Sequence, residues 1–242
     1  MFIFKNVNSN NMHLIVSELP PISTPNEKII KTDIPGGHQV LQSDGFELID
    51  KQCICHYDGN NPDVLLQWLS GAGKVSFGNI NDRYYRAYIG NKIPLEQIVR
   101  NKLSKFPVIF TCEPFGYLVE GDETITLNKA TILYNGRNTY ESFPTITIKG
   151  TGATTFTINN RSFNITNIGG EITILSEPQK QIILNDKGEY MEGDFPYLDP
   201  GENNISWTGS VTSIEIIPYW RTLTWLIYIE KMKQILSIIN LY

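Results

Sequence analysis

The chain has 242 residues, 41% of them hydrophobic and 19% charged, and a formal net charge of −5. That length and apolar content can bury a substantial core and exclude an intrinsically disordered chain. The acidic balance comes with no block of Lys and Arg to displace counterions, so sequence-specific nucleic acid binding is excluded.

Only four alanines occur, Ala72, Ala87, Ala130 and Ala153, whereas Ile, Val, Thr, Tyr and Phe are abundant. Alanine favours helices and the others favour strands, so the chain should be mainly β. Residues 1–6, Met-Phe-Ile-Phe-Lys-Asn, place no charged region ahead of a long apolar run, so no signal peptide is expected. No apolar run reaches the roughly 18 residues of a membrane helix, so no membrane insertion is expected. The three cysteines are an odd number, which suggests free thiols made in a reducing cytoplasm.

In chain order, Phe2 and Phe4 alternate, an Asn-rich turn covers 8–11, and Leu14 and Val16 alternate again. Pro20, Pro21 and Pro25 break the chain. Ile34-Pro35-Gly36-Gly37-His38 reads as a loop whose glycines permit positive φ or close backbone approach. Phe46, Leu48, Lys51, Cys53, Cys55 and Tyr57 form a long period-two strand pattern. The clearest helix follows: Asn61 can cap it, Pro62 suits its first position, Asp63 suits its positive end and Gly71 its left-handed C-terminus. Val64, Leu65, Trp68 and Leu69 would be its apolar face. Strand patterns resume at Val75/Phe77 and over 84–89. Residues 94–106 have helical spacing between strand neighbours, leaving helix and hairpin open. Phe106, Val108 and Phe110 alternate cleanly.

Beyond 118–135 the units shorten and gain Thr and Gly. Strand patterns occur at 145–148, 155–158, 163–165, 171–174 and 181–184, and about seven to nine strands overall would make a sandwich. Turn clusters at 193–196 and 199–204 precede apolar runs from Ile205 to Ile217. The last segment has Trp225, Ile229, Met232, Leu236 and Ile239 at helical spacing with charges between them, an amphipathic helix.

Chemistry is sparse. Cys53-x-Cys55-His56 with Cys112 is the one metal-like cluster, but zinc pairs need wider spacing, and on a strand His56 points away from both cysteines. Buried thiols are the expectation, with no metal and no cofactor. Gly71-Ala72-Gly73-Lys74 lacks the other residues of a phosphate loop and reads as a helix-ending turn. Glu189, Glu192, Asp194, Asp199 and Glu202 lie close together in turns, as solvated acids do. His13, His38 and His56 are scattered, and nothing orders a catalytic triad. Tyr197, Trp207, Tyr219 and Trp220 could stack on a sugar, or could pack in the core.

A series of motifs over about residues 1–223 resembles the distal tail protein (Dit) family of siphophages of Gram-positive hosts. They are Ile34-Pro35-Gly36-Gly37, then Trp68-Leu69, then Tyr84, Tyr85, Ala87 and Ile89. Phe106, Val108, Phe110, Pro114, Phe115 and Tyr117 follow, then Pro144, Ile146, Ile148 and Gly150. The series ends with Gly193, Phe195, Pro196, Gly201, Asn203, Ile205, Trp207 and Gly209. Leu175 departs from the family pattern, which often has Asp there, and 224–242 lies outside the match.

The resemblance implies a ring-forming N-terminal domain over 1–125, β-sandwich-like with one short helix, and a galectin-like β-sandwich over 126–223. The helix over 224–242 would be an addition. It also makes 94–106 a strand. The implied role is a non-enzymatic hub of the tail tip or baseplate in the virion, forming a homo-hexameric ring. The ring would connect the tail tube and tape-measure proteins to the tail-associated lysin or fibre and to receptor-binding proteins during host attachment. Interface candidates are Phe2, Phe4, Pro35, Gly36, Gly37, Tyr84 and Tyr85, with the core an equal claimant to the aromatics. Residues 224–242 would dock on a neighbouring subunit or tail partner, or pack on their own domain. The competing reading is a carbohydrate-binding module for host cell-wall saccharide, using the four aromatics from Tyr197 to Trp220.

Overall fold

The structure, a computed structural model, describes residues 1–90, 93, 104–184 and 187–223. The helix expected over 224–242 and the disputed residues 94–103 lie outside these. The described chain is mainly β, in two compact units: Met1–Gly116 with Leu223, and Tyr117–Thr222.

The first unit contains, in chain order, β1 (Phe2–Phe4), β2 (Val7–Asn8), β3 (Leu14–Glu18), β4 (Glu27–Thr32), β5 (Val40–Phe46), β6 (Ile49–Tyr57), α1 (Pro62–Trp68), β7 (Gly71–Phe77), β8 (Ile80–Ile89) and β9 (Ser104–Cys112). Seven of these strands form an antiparallel sheet in the order β2-β1-β7-β8-β9-β6-β3. It curls around a core built from alternate residues: Phe2 and Phe4, Cys53 and Cys55, Val75 and Phe77, Tyr85, Ala87 and Ile89, and Phe106, Val108 and Phe110. Phe110 is the hub, with edge-on contacts to Phe2, Phe4 and Phe77 at centroid distances of 5.1, 5.4 and 5.6 Å.

α1 forms for the expected reasons. Asn61 Oδ1 accepts from the Val64 amide at 3.4 Å, Pro62 opens the helix, and Gly71 has φ +69 just after it. Leu65 and Leu69 are buried, and Trp68 stacks on Phe2 while its Nε1 donates to the Phe4 carbonyl at 3.1 Å. Val64, assigned to that face by spacing, is instead 49% exposed, because so short a helix has room for one inward turn only. Two further expectations change. Gly71-Ala72-Gly73-Lys74 is the start of β7, not a turn; Gly73 lets the Phe4 ring and Lys5 stem approach, since a Cβ there would lie 2.9 and 2.7 Å from them. The single strand read from Phe46 to Tyr57 is two: β5 ends at Phe46 and β6 starts at Ile49, with Leu48 exposed at the break.

After β10 (Gly116–Leu118), which begins on the last residue of the first unit, the second unit contains β11 (Ile125–Leu127), β12 (Thr131–Asn135), β13 (Thr145–Thr151), β14 (Thr154–Ile158), β15 (Arg161–Ile165), β16 (Gly170–Leu175), β17 (Ile182–Ile183), β18 (Met191–Glu192), β19 (Gly201–Trp207), β20 (Ser210–Ile217) and β21 (Arg221–Thr222). Two five-stranded sheets, β11-β20-β13-β16-β17 and β12-β19-β14-β15-β18, enclose one core. Strict alternation builds it: Ile146/Ile148, Ile172/Ile174 and Ile214/Ile216 from one sheet meet Phe156/Ile158, Phe163/Ile165 and Ile205 from the other. This is a β-sandwich with ten strands, where about seven to nine were expected; the extra ones are two-residue strands too short to read as patterns. Gly150 sits at a bulge between β13 and β20, and a Cβ there would run into the Ser210 carbonyl. Gly209 turns β19 into β20 at φ +81, where a Cβ would meet the Ala153 carbonyl. Leu118 donates its amide to the Trp220 carbonyl at 2.8 Å, tying the start of this unit to its end.

Candidate functional site

The surface feature that stands out is the hairpin of β4 and β5. Among the described residues these two strands pair only with each other, in a sheet of two. Their turn follows from sequence. Gly37 N donates to the Ile34 carbonyl at 2.9 Å, Pro35 occupies the second turn position and Gly36, at φ +75, the third, as a type II turn requires. Gln39 Nε2 closes the loop onto Asp33 Oδ1 at 2.8 Å. At the root, Glu47 N donates to the Asn26 carbonyl, Lys28 pairs with Asp44, and Phe46 sits edge-on to Phe115 at 5.8 Å.

Apart from Phe46, every residue of both strands is exposed. The register puts Ile30, Thr32, Val40 and Gln42 on one face and Ile29, Lys31, Leu41 and Ser43 on the other. Ile29, Ile30, Val40 and Leu41 are 48, 44, 42 and 62% exposed. Aliphatic pairs on both faces of a lone hairpin are unusual, because two strands alone are marginal in water and bury almost nothing.

The sequence candidates distribute as follows. Pro35, Gly36 and Gly37 form the exposed hairpin tip. Phe2 and Phe4 lie at 1 and 0% exposure in the first unit's own core, the alternative the sequence left open for them. Tyr85 is likewise core, and Tyr84, on the other face of β8, is 5% exposed beneath Lys74, whose Nζ lies 4.1 Å from its centroid. Among the sugar candidates, Trp220 is inside the sandwich core and Trp207 packs half-buried against it. One face of Tyr197 is taken by the Arg161 guanidinium at 3.8 Å, and Tyr219 is half-buried with φ +47. The four therefore offer no open aromatic row. Trp225, Ile229, Met232, Leu236 and Ile239 lie outside the described residues.

The remaining polar clusters are structural in geometry. Asp199 accepts from Arg161 Nη2 at 2.8 Å and Asn159 Nδ2 at 2.6 Å, and its backbone is held at both ends by buried Asn203. Cys53, Cys55 and Cys112 are free and buried. Burial pushes the Cys55 and Cys112 thiols up to about 12 and Cys53 higher still, so none is poised as a nucleophile or ligand. Among the described residues no His, Cys, Asp or Glu group is placed to hold a metal ion, and no helix is long and apolar enough to cross a membrane.

No protein-family model matches the chain, and no curated protein is significantly similar in sequence. Solved structures do match. The crystal structure of the Dit protein (gp 19.1) of phage SPP1, described as a paradigm of the hub adsorption apparatus in phages infecting Gram-positive bacteria, superposes with a TM-score of 0.68 at 12% identity, covering 92% of this chain and 98% of that one. A chain of the phage p2 baseplate in its activated conformation with Sr gives 0.48 at 7% identity, over 86 and 92% of the two chains. The same baseplate with Ca gives 0.48 at 8%, over 89 and 96%. The chain thus has the Dit fold along nearly its whole length, which bears out the resemblance carried by the ordered motifs.

Proposed function

We propose that this protein is a non-enzymatic hub subunit of a phage tail tip or baseplate, closing into a homo-hexameric ring through its β4–β5 hairpin. The observation that carries the reading is that hairpin: an arm with exposed aliphatic residues on both faces and no sheet partner among the described residues. A head-to-tail ring requires each subunit to offer one surface and receive another, and a projecting hairpin suits the offered half. Docked on a neighbour, Ile29, Ile30, Val40 and Leu41 would lose their contact with water, with Pro35, Gly36 and Gly37 as the rigid leading edge. The likeness to the SPP1 Dit fold supports this placement in a virion. In it the first unit builds the ring and the second, the sandwich, faces outward. The ring joins the tail tube and tape-measure proteins to the lysin or fibre and to receptor-binding proteins during attachment. Residues 224–242 belong to this proposal as a docking helix for a neighbour or tail partner.

The test is the mass of the purified full chain. Six subunits per particle agree with the reading. A monomer at all accessible concentrations refutes it.

A further inference from the structure

The first unit also holds two buried cations that ring assembly does not use. Lys51, near the start of β6, is 2% exposed, and Arg83, in β8, is 1% exposed. Their strands flank β9, and both side chains share the inward face with Cys53, Tyr85 and Cys112. Arg83 uses its forked edge on its neighbour: Nε and Nη2 donate to the Asp82 carboxylate at 2.9 and 3.0 Å. Its third nitrogen, Nη1, is buried with no acceptor among the described residues. The Lys51 ammonium faces the Tyr85 ring, with Nζ 4.7 Å from the centroid. Gly116 closes over Arg83, since a Cβ there would lie 2.6 Å from its Cδ.

The charges do not balance. Asp82 offsets Arg83, and Lys51 remains. The Cys112 thiol beside Lys51 is held neutral by burial, and Asp50 is engaged on the outward side by the Thr111 hydroxyl at 2.7 Å. Burial, with Arg83 adding repulsion, pulls the Lys51 ammonium below its ordinary pKa. Shedding that proton would relieve Lys51 but would still leave Arg83 Nη1 without an acceptor, which a buried guanidinium rarely tolerates.

We propose that Lys51 and Arg83 enclose a site for one small monovalent inorganic anion, of halide size, bridging β6 and β8. The single excess charge sets the valence. The forked edge of Arg83 is occupied by Asp82, so two-point capture of a carboxylate or phosphate is not on offer. The near-complete burial of both side chains leaves no path for a group carried on a macromolecule. A bound anion supplies Nη1 with its acceptor, neutralises Lys51, and pins the two strands that flank β9.

The experiment uses the full chain. Thermal unfolding is followed as chloride replaces gluconate at constant ionic strength. The Tm is expected to rise by about 3–5 °C per tenfold increase in chloride beyond half-saturation, and the rise is expected to vanish in Lys51→Met. Crystals grown with bromide are expected to show an anomalous peak in contact with both Nζ and Nη1. A Tm indifferent to chloride, or a crystal with water or nothing at that position, overturns the proposal. If Lys51→Met does not fold, the bromide crystal of the unaltered chain decides alone.

Discussion

Replacing Ile29, Ile30, Val40 and Leu41 together by threonine isolates the role of the hairpin. Threonine keeps strand propensity and branching, so β4 and β5 persist. Each side chain is between 42 and 62% exposed, so roughly half of its transfer free energy is unrealised in the isolated subunit. Fully burying such a side chain is worth about 1.5–3 kcal/mol, so covering the exposed halves of all four on a neighbour contributes about 3–6 kcal/mol per contact. At 1.4 kcal/mol per decade, losing that contribution weakens association about 10²–10⁴-fold. Subunit stability changes little, within about 0.5 kcal/mol, because no core contact is touched. Sedimentation velocity over a concentration series reads the first effect and a circular dichroism melt the second. A variant that assembles as tightly as the original chain refutes the assignment, and so does one that unfolds, since it would mean the hairpin already packs within its own subunit.

Phe110→Ala, by contrast, removes the ring that Phe2, Phe4 and Phe77 pack against, and should cost about 3–5 kcal/mol of first-unit stability in a denaturant titration; a loss below about 1 kcal/mol on the same scale contradicts the hub role. Asn203→Ala strips the Asp199 amide of its side-chain acceptor and leaves the Asp199 carbonyl with Asn138 Nδ2 alone, and should lower second-unit stability by about 1–3 kcal/mol, with an unchanged melt as the contrary result. The thiols give a pH dependence of defined sign. Cys55 and Cys112 titrate near 12 in the folded chain against an ordinary 9.0, so the folded state holds its protons longer. Their contribution is complete below about pH 9 and is lost as pH rises toward 12, at up to about 1.4 kcal/mol per pH unit for each thiol. Thiolate absorbance appearing at pH 9 in folded protein, before the unfolding transition, contradicts it.

Much of this architecture is written locally. The sandwich core reads directly from pairs such as Ile146/Ile148 and Ile172/Ile174, because a strand covered on one face must alternate. The α1 boundaries read from Asn61, Pro62 and Gly71, because those residues satisfy or release backbone groups by themselves. The candidate site was harder, for a physical reason. Apolar character says that a side chain prefers cover, not which molecule supplies it. From sequence Phe2 and Phe4 suit a neighbour's surface or their own core equally, and they lie in the core, while nothing local marks Ile29, Ile30, Val40 and Leu41 as the exposed aliphatics. A signal was present: Pro35-Gly36 between two aliphatic runs is a hairpin turn in waiting. Lys51 shows in the sequence only as part of a period-two pattern, and its burial depends on β8 and β9 closing beside it, which no local window contains.

The central claim is that the hairpin of one subunit seats on the next to close a ring. Cryo-electron microscopy of the purified full chain tests it most directly. The expected image is a closed six-subunit ring with a central channel, in which β4 and β5 lie against the neighbouring subunit and their four aliphatic side chains are covered. Isolated subunits, or a ring whose hairpins project free into solvent, would contradict it.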